Sequence, residues 1–101
     1  MKEIVEIPQE WKDISDLFVA IGDEQRQRIL LSFDKHERLN IMQIVASSKL
    51  SRTAVTHHLK LLRQCDALSS EKIGKEVFFW VNKDHITQSI EDVLAYIKQE
   101  I

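Results

Sequence analysis

Ser51-Arg52-Thr53-Ala54-Val55-Thr56-His57-His58-Leu59-Lys60-Leu61-Leu62-Arg63 decides how the rest of this sequence is read. Val55, Leu59 and Leu62 recur at helical spacing, with Leu61 beside them, so the run predicts a helix from about Arg52 to Cys65 with one apolar side. Ser51 is suited to cap it, because a serine hydroxyl accepts a hydrogen bond from a free first-turn N–H. The opposite side carries Arg52, Thr53, Thr56, His57 and Lys60. Short polar and basic side chains at the start of a helix, with apolar ones behind, are what a helix needs to read base edges in a major groove.

The flanks give this helix its setting. Upstream, Asn40 is a cap for a short helix over Ile41 to Ser47 with Ile44 and Val45 inward, and Ser48-Lys49-Leu50 forms the turn into Ser51. Further upstream, Asp23 caps a helix carrying Ile29, Leu30, Leu31 and Phe33; Arg26 stands where a full capping box would want Glu or Gln. A first helix is expected over about 8–21, with Pro8 in its first turn, a stripe of Trp11, Ile14, Leu17, Phe18 and Ile21, and Gly22 as a left-handed stop. Downstream, the residue period changes. Leu68–Ile73 and Glu76–Asn82 flank Gly74-Lys75, a hairpin signal with Phe78 and Phe79 on opposite faces. A last helix over about 84–99 carries Ile86, Ile90, Val93, Leu94 and Ile97.

Helices followed by a hairpin, with a three-residue turn before the reading helix, make a mainly α (α+β) winged helix-turn-helix: five helices and a two-stranded wing, one domain over 1–101. Length agrees, since 101 residues suit a single domain. A total charge of −2 looks unfavourable for nucleic acid, but its distribution is uneven. Between residues 49 and 76, six basic residues face three acidic ones, a local +3 that leaves −5 for the remainder. A local excess of cations predicts salt-sensitive binding to double-stranded DNA. Lys72 and Lys75, on the hairpin, join the helix residues as expected phosphate contacts.

Other classes are excluded. One cysteine forms no internal disulfide and no multi-cysteine zinc site. The longest apolar runs, Leu17–Ile21 and Val77–Val81, are too short to cross a membrane. Met1–Glu6 lacks the apolar core of a signal peptide, so a cytoplasmic place is expected. No nucleophile–base set emerges, so no enzyme, catalytic residue or cofactor is expected.

The run from Leu39 to Arg63 resembles the ArsR/SmtB family of winged-helix regulators. Ser51, Val55, Thr56, His57, His58, Leu59 and Leu62 follow that family's Ser-x-x-x-Val-Ser-His-His-Leu-x-x-Leu pattern, with Thr56 replacing serine. Asp23, Arg26, Ile29 and Leu30 match its Asp-x-x-Arg-x-x-Ile-Leu segment, and Gly74 with Val77-Phe78-Phe79 is similar to its wing. Asp66 departs from the family's glycine and must then adopt a left-handed conformation itself. The resemblance implies a homodimer through the terminal helices, an imperfect palindrome as operator, and repression by occluding a promoter. The expected DNA contacts are Ser51, Arg52, Thr53, Thr56, His57, His58, Lys60, Lys72 and Lys75. Of the two histidines, His57 is expected to face DNA, and His58 to do so less directly or to pack. The expected dimer residues are Trp11, Ile14, Phe18, Ile86, Ile90, Val93, Leu94 and Ile97.

The family's metal motifs are missing. The third helix has no cysteine, and the second half of the last helix has no histidine to pair with Asp84-His85. Asp84 then reads as a helix cap, His85 as exposed, and no metal site is expected. Cys65 reads as a small buried hydrophobe, and Trp11 and Trp80 as core or interface residues rather than stacking platforms. No inducer is identified. A metal- or thiol-responsive sensor and a winged-helix protein–protein module stay open as alternatives.

Overall fold

The computed structural model describes residues 3, 4 and 6–101; the expectation about the leader rests partly on Met1, Lys2 and Val5, which lie outside them. The elements in chain order are α1 (Gln9–Ile21), α2 (Glu24–Leu31), β1 (Leu39–Asn40), α3 (Ile41–Ala46), α4 (Arg52–Gln64), β2 (Leu68–Ile73), β3 (Glu76–Val81) and α5 (Lys83–Glu100). Each predicted element is present, with ends shifted by a residue or two, as helix and strand ends commonly are.

The wing differs from the expected two-stranded hairpin. β1 adds a third antiparallel strand, in the order β1-β3-β2, pairing Leu39 with Phe79 and Asn40 with Phe78. Two residues are too few for strand periodicity to show in sequence. Its effect is to tie the start of α3 to the wing. Phe79 is buried and Phe78 half-buried, as alternation requires.

The core gathers one side of each inner helix. Leu17, Ile44, Val55, Leu59, Leu62 and Leu68 are fully buried, with Ala20, Ile29, Ala67 and Phe79 around them. α4 lies at the centre, so the apolar side that makes it a helix also fixes which side faces outward. Asp66 closes the α4–β2 connection at φ 61°, the left-handed conformation expected of it.

Three end-of-helix expectations are corrected. Gly22 is right-handed, at φ −73°. Its glycine character answers to space instead: a Cβ there would stand 3.1 Å from the Phe18 carbonyl oxygen. Pro8 sits just outside α1 and accepts from the Trp11 N–H. Asp84 lies inside α5, whose cap is Asn82. The Asn82 side chain is committed elsewhere: it donates to the Asp66 carbonyl and accepts from the Ser69 hydroxyl. His85 is half-buried rather than exposed, and its Nε2 has no hydrogen-bond partner among the described residues.

Candidate nucleic-acid interface

The reading helix begins as its sequence requires. Ser51 Oγ accepts from the Ala54 N–H at 3.1 Å, so this hydroxyl spends its acceptor on the cap. One turn back, Asn40 and Gln43 form a complete capping box: Asn40 Oδ1 accepts from the Gln43 N–H, and Gln43 Oε1 from the Asn40 N–H, both at 2.9 Å. Both helices of the helix-turn-helix therefore start at fixed residues. Between them, the Leu50 N–H is held by the Ser48 hydroxyl.

Arg52, Thr53, Thr56, His57 and Lys60 are all exposed. Positions 52, 56 and 60 form one row along α4, and 53 and 57 the row beside it. The helix thus presents a continuous polar face opposite buried Val55, Leu59 and Leu62. The wing is brought to the same side. Arg52, Lys75, the α3 cap Asn40 and the first α3 residues Ile41 and Met42 line one cleft of about 170 Å³, closed by Glu76 and Val77. The sequence reading missed Asn40 and Met42 here, although the Asn-x-x-Gln spacing was a visible sign that a helix starts at this place.

His58 is corrected. It is half-buried and turned toward α2, where Arg26 Nη1 lies 3.3 Å from its Nδ1. Arg26 and Gln27 do the work that a left-handed glycine was expected to do. Arg26 Nε donates to the Ala20 carbonyl at 2.6 Å and Gln27 Nε2 to the Ile21 carbonyl at 2.7 Å, so α2 side chains close the end of α1. Asp23 caps α2 through the Gln25 and Arg26 N–H groups. The hydrogen bond from the Arg26 N–H holds the Asp23 carboxyl below its ordinary pKa, and the charges of Arg26 and His58 act in the same direction.

The electrostatics sharpen the local +3. Two of the three acids of the region are ion-paired, Glu71 with Arg38 at 3.1 Å and Asp66 with Arg63 at 3.8 Å, while Glu76 accepts from the neutral Asn40 Nδ2 at 3.3 Å and keeps its charge. Lys49, Arg52, Lys60, Lys72 and Lys75 are exposed and take part in no ion pair among the described residues. Free cations line the helix and the wing, and of the neighbouring carboxylates Glu71 and Asp66 are ion-paired among the described residues.

Cys65 is half-buried, and burial pushes its thiol up from the ordinary value, so it stays protonated at neutral pH. Its Sγ–H points to the Leu62 carbonyl at 3.4 Å. Among the described residues, no three His, Cys, Asp or Glu side chains cluster as metal ligands, and no helix is long and apolar enough to cross a membrane. Trp80 is half-buried, and the Arg38 guanidinium lies 4.0 Å from its ring centroid.

The terminal helices meet through Trp11 and Tyr96, whose rings stand edge to face at 5.2 Å. Of the expected dimer residues, Phe18, Ile90, Leu94 and Ile97 are exposed, and Trp11, Ile86 and Val93 are half-buried. Ile14 is corrected: only 8% of it is exposed, so its side chain is spent inside the protomer. Ile86 likewise packs against the core. Val19 and Tyr96, which the stripe did not include, are exposed beside them.

A capped helix-turn-helix, a polar outward face and a cationic wing define a DNA-binding transcriptional regulator of the winged-helix class. Residues 23–70 match the family described as bacterial regulatory protein, arsR family. Over that segment the chain is similar to winged-helix regulators of the ArsR/SmtB type. It is 23% identical over 88 residues to a transcriptional repressor SmtB homologue of Synechocystis, covering 87% of this chain and 66% of that one. It is 26% identical over 86 residues to the transcriptional repressor SdpR of Bacillus subtilis, covering 85% and 94%. In fold it resembles an ArsR-like transcriptional regulator from Rhodococcus sp. RHA1, with a TM-score of 0.74 at 22% identity, covering 91% of this chain and 95% of that one.

Proposed function

We propose that the chain is a homodimeric repressor that lays two copies of α4 in successive major grooves and covers a promoter. The observation that carries this reading is the set of exposed cations in no ion pair among the described residues, Arg52 and Lys60 on α4 and Lys72 and Lys75 on the wing, while the nearby Glu71 and Asp66 are ion-paired. Arg52, Thr53, Thr56 and His57 read bases, Lys60, Lys72 and Lys75 hold phosphates, and Ser51 orients the helix. Repression is supported by the relatives named as transcriptional repressors. Dimerisation is supported by the apolar face of Phe18, Ile90, Leu94 and Ile97, too large to leave in water on a chain of this size. Such a regulator works in the cytoplasm, where its operator lies.

Footprinting on the DNA upstream of the chain's own gene tests this. Two protected half-sites about 34–36 Å apart, one helical turn, are expected. Protection of one isolated half-site, or none, contradicts the dimeric reading.

A further inference from the structure

A second cleft lies at the far end of the sheet from the wing tip. It has a volume of about 510 Å³, in the range of small-molecule sites. Leu30, Phe33, Trp80 and Val81 form its apolar part. Lys35, His36, Arg38 and Lys83 bring cationic or protonatable groups to it, and Asp34 and Glu37 bring acids.

These groups are not equally free. Arg38 is held in place from two sides, by the Trp80 ring under its guanidinium and by Glu71 at 3.1 Å on Nη1. A guanidinium has five N–H donors, so a prepositioned fork remains to receive another anion. Lys35 and Lys83 enter none of the ion pairs among the described residues. Of the acids, Glu37 accepts from the Asp34 N–H at 3.1 Å, which fixes its position; the lining then carries three cations, Lys35, Arg38 and Lys83, against the two carboxylates of Asp34 and Glu37. Lys83 is also the first residue of α5, whose cap side chain does not bond its first-turn N–H groups, so those groups add positive potential there, set against the Asp84 carboxylate in the same turn. An aromatic and aliphatic wall beside an oriented guanidinium and two free ammonium groups matches one ligand chemistry: a flat apolar body bearing a carboxylate.

We propose that this cleft binds a small aromatic carboxylate, and that the ligand acts as an effector. It would touch Trp80 on the central strand of the wing sheet and Lys83 at the root of α5, joining the DNA-facing sheet to a terminal helix. The effector role rests on the DNA-binding reading above; the binding site does not.

The test uses the full chain labelled with 5-fluorotryptophan, whose two resonances are assigned with Trp11→Phe. Benzoate, phenylacetate and indole-3-acetate are titrated to about 10 mM, well above a weak-site Kd of about 1 mM, with the matching amides as controls. A saturable shift of the Trp80 resonance by a carboxylate and not by its amide is expected. Lys35→Ala with Lys83→Ala, both surface changes, should weaken it about tenfold, and Arg38→Gln should do the same. No saturable shift, equal response to the amides, a shift of Trp11 alone, or unchanged affinity in the lysine variant overturns the site. DNA affinity measured with and without the bound carboxylate should change; binding without such a change overturns the effector role. Failure to bind any DNA would sink the proposed function and leave the resonance shifts standing.

Discussion

Arg26 shows how much one side chain can determine here. It was legible as a family position and as a failed capping box. Its role was not, because its partners lie six and thirty-two residues away, at Ala20 and His58. It closes α1, meets the reading helix through His58 and donates its own N–H to Asp23. Arg26→Ala should cost about 1–3 kcal/mol by leaving a helix-end carbonyl without its donor. Urea unfolding measures it, and a loss within error would show that water replaces the guanidinium. The Asp23 carboxyl is held low, so its contribution is full above the ordinary carboxylate value near 3.8 and is lost as pH falls through the lowered one. The stability gap between wild type and Asp23→Ala should therefore be constant near neutrality and narrow below about pH 4; a gap that does not change with pH would contradict a charged cap. The Cys65 thiol, pushed up by burial, should alkylate more slowly at pH 8 than a free thiol such as glutathione. Faster labelling would reopen the thiol-sensor alternative.

At the scale of elements, what periodicity and capping can show was readable. Val55, Leu59 and Leu62 announced α4, Ser51 and Asn40 its caps and those of α3, and the aromatic run of β3 the hairpin. The misses share one physical origin: they depend on contacts distant in sequence. β1 exists because Leu39 and Asn40 lie beside Phe79 and Phe78, not because two residues prefer to be extended. Gly22 is the exception, since the Phe18 carbonyl that would crowd a Cβ there, at 3.1 Å, belongs to the preceding turn. Asp84 looked like a cap until Asn82, tied to Ser69 and the Asp66 carbonyl, set the start of α5 two residues earlier. The polar face of α4 was legible because one buried side implies an exposed one, and the helical offset between neighbours already set His58 apart from His57; its partner Arg26 was not legible. The Asn40–Gln43 box fixes where α3 begins, and with it the cleft shared by Arg52 and Lys75. Asn40→Ala should cost about 1 kcal/mol in stability and, since Asn40 also donates to Glu76, should weaken DNA binding as well. A variant that loses stability alone would separate α3 from the interface.

The whole molecule is long for its size. Its radius of gyration is 15.8 Å and its longest extent 55 Å, against about 13 Å expected of a 100-residue domain. The 18-residue α5 accounts for much of this: Ser89 is its one buried residue, while Ile90, Leu94 and Ile97 stay exposed. A protomer that keeps such a face in water is expected to cover it with a second copy. Leu94→Glu with Phe18→Glu should shift sedimentation from dimer to monomer with the helical signal kept; a wild type that is already monomeric would remove this part of the account. The −2 of the whole chain says little about partners, because the free cations are exposed on α4 and the wing, where Arg52 and Lys75 line one cleft, while Glu71 and Asp66 are ion-paired. That face is the central claim, and the salt dependence of DNA binding tests it most directly. Fluorescence anisotropy with upstream DNA across a salt series should give a steep linear fall of log affinity with log salt. Lys60→Ala with Lys75→Ala should flatten that slope by about 0.9 for each phosphate the variant no longer neutralises. A wild type that binds no DNA, or a variant whose slope and affinity match it, would contradict the assignment of α4 and the wing as the DNA-binding face.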